Sequence, residues 1–140
     1  MTRSPYLHLP ISILLVEDET LNLELLATIL TRRYPKAAFH CATDGLTGLK
    51  IFEALRPDIV ITDINMPELS GVDMAAKMRA TWPATRFIFL TGDSVDQTRR
   101  YTAGTGLQPE HLIVKPVGIQ RLFALIDQCI NEVAGSLPAQ

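Results

Sequence analysis

The sequence has little cysteine, no long apolar run and no excess of charge of either sign. Its 140 residues include two cysteines, Cys41 and Cys129, and neither lies in a CxxC or cysteine–histidine motif. We interpret both as small buried residues in a reducing compartment, which predicts a cytoplasmic protein. The net charge of −2 gives no basis for nonspecific nucleic-acid binding. No apolar run approaches the length that spans a bilayer, so we expect neither a nucleic-acid nor a membrane partner.

Short apolar runs alternate five times with longer amphipathic segments, and the chain length suits one domain. Runs that are apolar almost throughout are typical of parallel strands buried on both faces. The pattern predicts an α/β domain over residues 11–134, with flexible tails over residues 1–10 and 135–140. The predicted strands cover residues 11–16, 37–42, 58–62, 86–90 and 111–114, and the predicted helices cover residues 21–33, 46–55, 70–82, 95–103 and 119–133.

Four of the five predicted strands end in polar residues suited to chemistry: Glu17 and Asp18, Asp63, Thr91, and Lys115. Each of them alone has a structural explanation as a helix cap or a solvated charge. The carboxyl ends of parallel strands meet at one edge of a sheet, where α/β proteins bind ligands. The occurrence of such polar residues at four strand ends of one predicted sheet therefore favours a single site.

Three carboxylates in one site repel one another unless a cation lies between them. Oxygen ligands with open coordination positions suit Mg²⁺, which bridges to phosphate groups. An aspartate beside that cation can attack phosphorus and form an acyl phosphate. Lys115 and Thr91 would then supply charge and a hydrogen bond to the phosphoryl oxygens, so the set favours phosphoryl transfer.

The ordered set resembles the receiver domain of bacterial two-component response regulators over nearly the whole chain. The matching segments are LLVED at residues 14–18, TDINMPELSG at 62–71, FLTG at 89–92 and VKP at 114–116. The resemblance implies a flavodoxin-like, doubly wound, five-stranded parallel sheet of order 2-1-3-4-5 with five helices. It also implies a two-component phosphorelay protein whose surface near the fourth helix and fifth strand changes on phosphorylation.

The resemblance further assigns roles to individual residues. Asp63 is the implied phosphoacceptor, Thr91 the switch hydroxyl, and Lys115 the phosphate-binding lysine ahead of a cis peptide to Pro116. The implied Mg²⁺ ligands are Asp18 and Asp63 directly, Glu17 through metal-bound water, and Asn65 through its backbone carbonyl. The implied phosphoryl donor is a histidine kinase or a histidine phosphotransfer protein, and the downstream protein target is unknown.

The sequence leaves open whether the receiver stands alone or belongs to a hybrid histidine kinase. Asn22 and the DINMPELSG segment are similar to hybrid-kinase receivers, whereas the initial Met and the short stretch after the last helix suit a stand-alone protein. Leu112 occupies the position, three before Lys115, where the family has Tyr or Phe. We therefore predict activation without an aromatic rotamer change, through a shift or ordering of helix 95–103 and the loop 104–110.

Two alternative functions use similar residues. A phosphatase of the haloacid-dehalogenase type also employs Asp, Thr, Lys and Mg²⁺, but its nucleophile lies in a D-x-D motif on the first strand. Here the candidate lies on the third strand and is followed two residues later by Asn65. A degenerate receiver that only binds partners is disfavoured by the complete residue set. We expect a signalling module, not an enzyme, that catalyses only its own phosphorylation and dephosphorylation.

Overall fold

The computed structural model describes residues 10–103 and 111–135, which form five strands alternating with five helices. The strands are β1 (Ser12–Val16), β2 (Ala38–Ala42), β3 (Ile59–Asp63), β4 (Arg86–Thr91) and β5 (Leu112–Val114). The helices are α1 (Thr20–Arg33), α2 (Gly45–Leu55), α3 (Gly71–Thr81), α4 (Val95–Thr102) and α5 (Ile119–Gly135). These bounds differ from the predicted ones by at most two residues. The predicted tails lie almost entirely outside the described residues.

All five strands are parallel, and their order is β2-β1-β3-β4-β5, as the resemblance implies. The chain leaves β1 for β2 on one side and returns past β1 to β3 on the other. This reversal places the ends of β1 and β3 next to each other at the centre of the sheet. Such a crevice at the carboxyl edge is where doubly wound folds bind ligands.

Alternate strand residues build two cores, one on each face of the sheet. One core contains Ile13, Leu15, Ile61 and Ile88 and is covered by α1 and α5. The other contains Leu14, Val60 and Phe89 and is covered by α2 and α3. Helix α5 carries the apolar stripe that its sequence predicts, and the stripe residues are buried: Leu122, Leu125, Ile126, Cys129, Ile130 and Val133.

Cap residues define where the helices on the second face begin. The Asp44 side chain accepts a hydrogen bond from the Thr47 amide, and the Ser70 side chain accepts one from the Asp73 amide. The predicted burial of Cys41 is wrong, because β2 is an edge strand and the Cys41 side chain is exposed. Within the described residues, no helix combines the length and apolar character needed to cross a lipid bilayer.

Helix α4 differs from the others because the buried residues among its described side chains are polar. Thr98 and Thr102 face inward, whereas Val95 is 39% exposed. A capping box between Ser94 and Gln97 fixes the start of the helix. The sequence expectation of a helix with few core residues is confirmed, and the predicted loop over residues 104–110 lies outside the described residues.

Candidate functional site

A cluster of three carboxylates lies at the carboxyl edge of the sheet, at the ends of its two central strands. Glu17 and Asp18 follow β1, and Asp63 is the last residue of β3, one position beyond the paired residues Val16 and Thr62. One oxygen from each carboxylate lies within 4.8 Å of the others. Glu17 and Asp63 are buried and Asp18 is exposed, so the cluster opens to solvent on one side.

Lys115 reaches the same cluster from the end of β5. Its Nζ lies 3.0 Å from Oδ2 of Asp63 and 3.6 Å from Oε2 of Glu17. The Lys115 amide donates a 2.7 Å hydrogen bond to the carbonyl of Thr91, which holds the β5 end against β4. The peptide between Lys115 and Pro116 is cis, as expected. The ammonium therefore partly neutralises two buried carboxylates.

The charges of these groups are strongly coupled. Burial raises the pKa of Glu17 above its ordinary value, and the charge of Asp63 raises it further, while Lys115 and the Glu19 amide lower it. Burial on its own would lower the pKa of Lys115. The hydrogen bond to Asp63 and the charges of Asp63 and Glu17 outweigh burial, so the pKa of Lys115 is raised. The ammonium thus stays protonated beside the acids.

The loop between β3 and α3 folds tightly back on Asp63. The Gly71 amide donates a 2.8 Å hydrogen bond to the carbonyl of Ile64. A Cβ at Gly71 would overlap the carbonyl oxygen of Asp63, so the backbones can approach this closely only with glycine. Glu68 adopts a φ of 67°, in the left-handed region that non-glycine residues rarely occupy. This loop fixes the backbone on which the Asp63 side chain is carried.

The Thr91 hydroxyl, at the end of β4, is engaged with α4. Its oxygen accepts a 3.0 Å hydrogen bond from the Asp93 amide and lies 3.3 Å from Oγ1 of Thr98. The Thr98 hydroxyl has one hydrogen, and the carbonyl of Ser94 lies 3.0 Å from it. All of these groups are satisfied when Thr98 donates to Ser94 and Thr91 donates to Thr98.

Asn65 and Asp93 meet on the exposed side of the pocket. Nδ2 of Asn65 donates to Oδ2 of Asp93 over 3.4 Å. These residues lie two positions after Asp63 and Thr91 respectively, and each begins the loop that follows its strand. The half-buried Leu112 lies opposite Phe89 and packs against the core beneath α2 and α3.

An apolar groove of about 320 Å³ adjoins the pocket, and Glu17 and Lys115 form part of its wall. Its apolar lining consists of Leu25, Leu26, Ile29, Leu90, Pro116, Val117 and Ile119. On α1, Leu23 and Leu30 are buried, while Leu21 is 80% exposed and Leu25 is 60% exposed. The apolar spacing of α1 therefore serves both a core and an exposed surface.

The structure brings together every charged residue that the strand ends predict, and it adds Thr98, which the sequence analysis missed. Thr98 lies four residues after the cap residue Ser94, so helical spacing places it on the face of α4 that turns towards β4. Hydroxyl residues on a predicted amphipathic helix resemble solvent-exposed residues, and this concealed the burial of Thr98 beside Thr91.

The response regulator receiver domain model matches residues 13–127. The chain is 35% identical over 127 residues to the sensor kinase CckA of Brucella abortus, covering 86% of this chain and 13% of that protein. It is 29% identical over 117 residues to the response regulator MprA of a Mycobacterium species (strain KMS), covering 83% of this chain and 49% of that protein.

The chain thus spans about half or less of the length of these curated relatives. Among solved structures, a response regulator receiver domain protein from Clostridium thermocellum superposes with a TM-score of 0.79 at 28% identity. The superposition covers 91% of this chain and 99% of that structure. This chain therefore belongs to the response regulator receiver domain family of two-component signalling, as shown by its own five-stranded parallel sheet, the residues matched by the family model and these relatives.

Proposed function

We propose that this chain is a phosphoacceptor receiver in which Asp63 accepts a phosphoryl group from a phosphohistidine of a partner protein. The observation that carries the proposal is the contact of Lys115 with Asp63 at 3.0 Å, inside a cluster of three carboxylates. One oxygen of Asp63 forms a bond to phosphorus, and the bond between phosphorus and the histidine nitrogen breaks. The imidazole leaves with that electron pair and takes up a proton.

The acid cluster fits Mg²⁺. Its protein ligands would be Asp18, Asp63 and the backbone carbonyl of Asn65, with Glu17 acting through metal-bound water. The donor set contains only oxygen, and the exposed side at Asp18 leaves room for water and phosphate oxygens. When bound, Mg²⁺ supplies positive charge that offsets the charge building up on the phosphoryl oxygens.

Lys115 and Thr91 act on the phosphoryl group after transfer. The Lys115 ammonium, already within hydrogen-bond distance of Asp63, moves from the carboxylate to a phosphoryl oxygen and keeps a charged partner. The Thr91 hydroxyl turns from Thr98 towards the new group and donates to it. That rotation removes a hydrogen bond from the buried face of α4.

The loss of this contact is the proposed output step. Because the buried side chains that the structure describes on α4, Thr98 and Thr102, are polar, they contribute little apolar burial energy against its displacement. Leu112 has no polar tip to exchange between pocket and solvent, so no aromatic rotamer change is involved. Backbone NMR with Mg²⁺ and beryllofluoride, a phosphoryl mimic, should show the largest changes outside the pocket between residues 92 and 111. Silence there, with a response on another face, would refute this step.

We infer that the phosphohistidine partner, a histidine kinase or a histidine phosphotransfer protein, docks on the groove beside α1. The donor imidazole must come within bonding distance of Asp63, and the groove wall contains Lys115 and Glu17. Leu25 and Leu21 extend this surface with exposed apolar area that the fold does not use. A donor helix with an apolar face beside its histidine matches that surface.

Leu25→Ala tests the docking surface, with Leu55→Ala as the matched control because Leu55 is 51% exposed on α2. We expect Leu25→Ala to slow phosphotransfer from a phosphohistidine protein roughly tenfold, the effect of losing about 1.4 kcal/mol of contact. Labelling by acetyl phosphate should not change, because this small donor needs no docking surface. Equal effects of the two variants, or an equal loss with acetyl phosphate, would contradict the inference.

We propose that the module catalyses only its own phosphorylation and dephosphorylation. The nucleophile candidate lies on β3 and is followed by Asn65, so the D-x-D arrangement of haloacid-dehalogenase phosphatases is missing around Asp63. A degenerate, binding-only receiver is disfavoured by the contact between Lys115 and Asp63. With acetyl phosphate and Mg²⁺ or Mn²⁺, intact-mass measurement should show one phosphoryl group on the wild type and none on Asp63→Asn. Equal labelling of both would refute the proposal.

A further inference from the structure

We propose that His111, Cys129 and Glu132 form a second metal site, selective for Zn²⁺ and Co²⁺ over Mg²⁺, between the start of β5 and helix α5. His111 directly precedes β5, and Cys129 and Glu132 lie three residues apart on α5, so they share one face of the helix. One ligand atom from each residue lies within 4.8 Å of the other two. No local sequence motif shows this group, because the fold joins residues 18 and 21 positions apart.

The separation of His111 and Glu132 is close to that of two ligands in a tetrahedral site. Nε2 of His111 lies 3.3 Å from Oε1 of Glu132. Zinc bonds of about 2.0–2.1 Å to nitrogen and oxygen place two tetrahedral ligands about 3.3 Å apart. A zinc–sulfur bond of about 2.3 Å requires a sulfur to nitrogen separation of about 3.6 Å. The Cys129 sulfur lies within 4.8 Å of both other ligand atoms, so a shift of its side chain by roughly 1 Å brings it to that separation.

The surroundings also suit a metal. His111 and Cys129 are buried, whereas the Glu132 side chain is 33% exposed and provides a path from solvent. The second carboxylate oxygen of Glu132 lies 3.8 Å from Nε of Arg86, the first residue of β4. Arg86 can thus hold the carboxylate while Oε1 turns to the metal, since partners of this kind orient ligands in metal sites.

The ligand types separate this site from the acid cluster. Nitrogen and thiolate ligands favour Zn²⁺ and Co²⁺, whereas Mg²⁺ requires oxygen ligands. Binding releases the thiol proton of Cys129, because the thiolate is the ligand. Three protein ligands leave the fourth tetrahedral position to water. The strand register places His111 level with Ile88, two residues before Leu90, which pairs with Asp63. Two residue steps of about 3.3 Å along the strands and two strand spacings of about 4.8 Å across the sheet separate their backbones by roughly 12 Å. The site therefore does not depend on the proposed phosphorylation of Asp63.

Cobalt titration of the full chain tests the proposal, with saturating Mg²⁺ present to occupy the acid cluster. Co²⁺ bound to a thiolate has an intense near-ultraviolet charge-transfer absorption that all-oxygen ligation does not produce. We expect this absorption to rise to one equivalent of Co²⁺ and to disappear when one equivalent of Zn²⁺ is added. Thermal unfolding should shift upward with Zn²⁺.

Substitutions identify which of the two cysteines binds Co²⁺. Cys129→Ser should abolish the absorption, and His111→Gln and Glu132→Gln should each weaken binding at least tenfold without removing a core side chain. Cys41→Ser, which changes the exposed cysteine, should bind Co²⁺ like the wild type. Arg86→Gln should weaken binding about tenfold. The proposal is overturned if the wild type gives no absorption, if Cys41→Ser abolishes it, or if His111→Gln and Glu132→Gln leave the affinity unchanged.

Discussion

Replacing the Asp63 carboxylate with the isosteric amide should stabilise the metal-free protein, although it removes an ion pair. At an effective dielectric constant of 20, Lys115 at 3.0 Å attracts Asp63 by about 5 kcal/mol. Glu17, within 4.8 Å, repels it by about 3–4 kcal/mol, and the exposed Asp18 by about 1 kcal/mol. These charge interactions nearly cancel, so the desolvation of a carboxylate that is only 6% exposed decides the sign.

The amide keeps an acceptor for Lys115 and avoids most of that desolvation cost. We expect Asp63→Asn to raise the free energy of unfolding in EDTA by about 2 kcal/mol, or the unfolding temperature by roughly 6 °C. Urea or thermal denaturation measures this difference. Glu53→Gln makes the same kind of change at an exposed position of α2 and should shift stability by less than about 0.5 kcal/mol.

The stabilisation should also depend on pH and Mg²⁺. The pKa of Glu17 is raised in the folded protein, so protonation of Glu17 favours the folded state. This contribution to the free energy of unfolding is fully present below pH 4.5, the ordinary pKa of the group, and is lost as the pH rises through the raised pKa. Asp63→Asn removes the charge of Asp63, the second largest cause of the raised pKa of Glu17. The excess stability of the variant over the wild type should therefore grow as the pH increases above 4.5. Mg²⁺ should cancel it by binding the wild-type carboxylates. A variant less stable than wild type in EDTA, or an advantage independent of pH, would refute this reasoning.

Three further predictions concern the segments around the pocket. Gly71→Ala should cost about 3 kcal/mol of stability, because its Cβ would meet the Asp63 carbonyl. The control Gly92→Ala should cost less than about 1 kcal/mol, because no atom lies within 4 Å of the new Cβ. Urea denaturation compares the two variants. Thr98→Val should remove the partner of the Thr91 hydroxyl and shift the NMR resonances of α4 towards their beryllofluoride-bound positions; unchanged resonances would contradict the proposed switch. Asp93→Ala should lengthen the phosphoryl lifetime, since its carboxylate accepts from Asn65 beside the expected path of the attacking water; faster phosphate release would reverse that role.

The fold and the acid cluster could be predicted from the sequence because both depend on local patterns. Strand-length apolar runs fix β1, β3 and β4, and parallel strands bring their carboxyl ends to one edge without further information. The grouping of Asp63 with Glu17 therefore follows once the strands are assigned. The contact of Lys115 also follows, although β5 has only three residues.

Other features depend on tertiary distances that a single sequence does not encode. Cysteine is a residue type that is usually buried, but an edge strand leaves Cys41 exposed. Leu25 fits the apolar spacing of α1 and yet lies outside the core, because buried positions on that helix fall on Leu23 and Leu30. The meeting of Cys129 with His111 requires the end of α5 to return to the start of β5.

Locating the phosphoryl group on the chain is the most direct test of the account. After labelling with acetyl phosphate and Mg²⁺, borohydride reduces an aspartyl phosphate to homoserine, and tandem mass spectrometry of the peptides then identifies the converted residue. The account predicts conversion at Asp63 alone, and none when Mg²⁺ is replaced by EDTA. Conversion at Asp18 or Asp93, or no converted residue at all, would contradict the assignment of Asp63 as the phosphoacceptor.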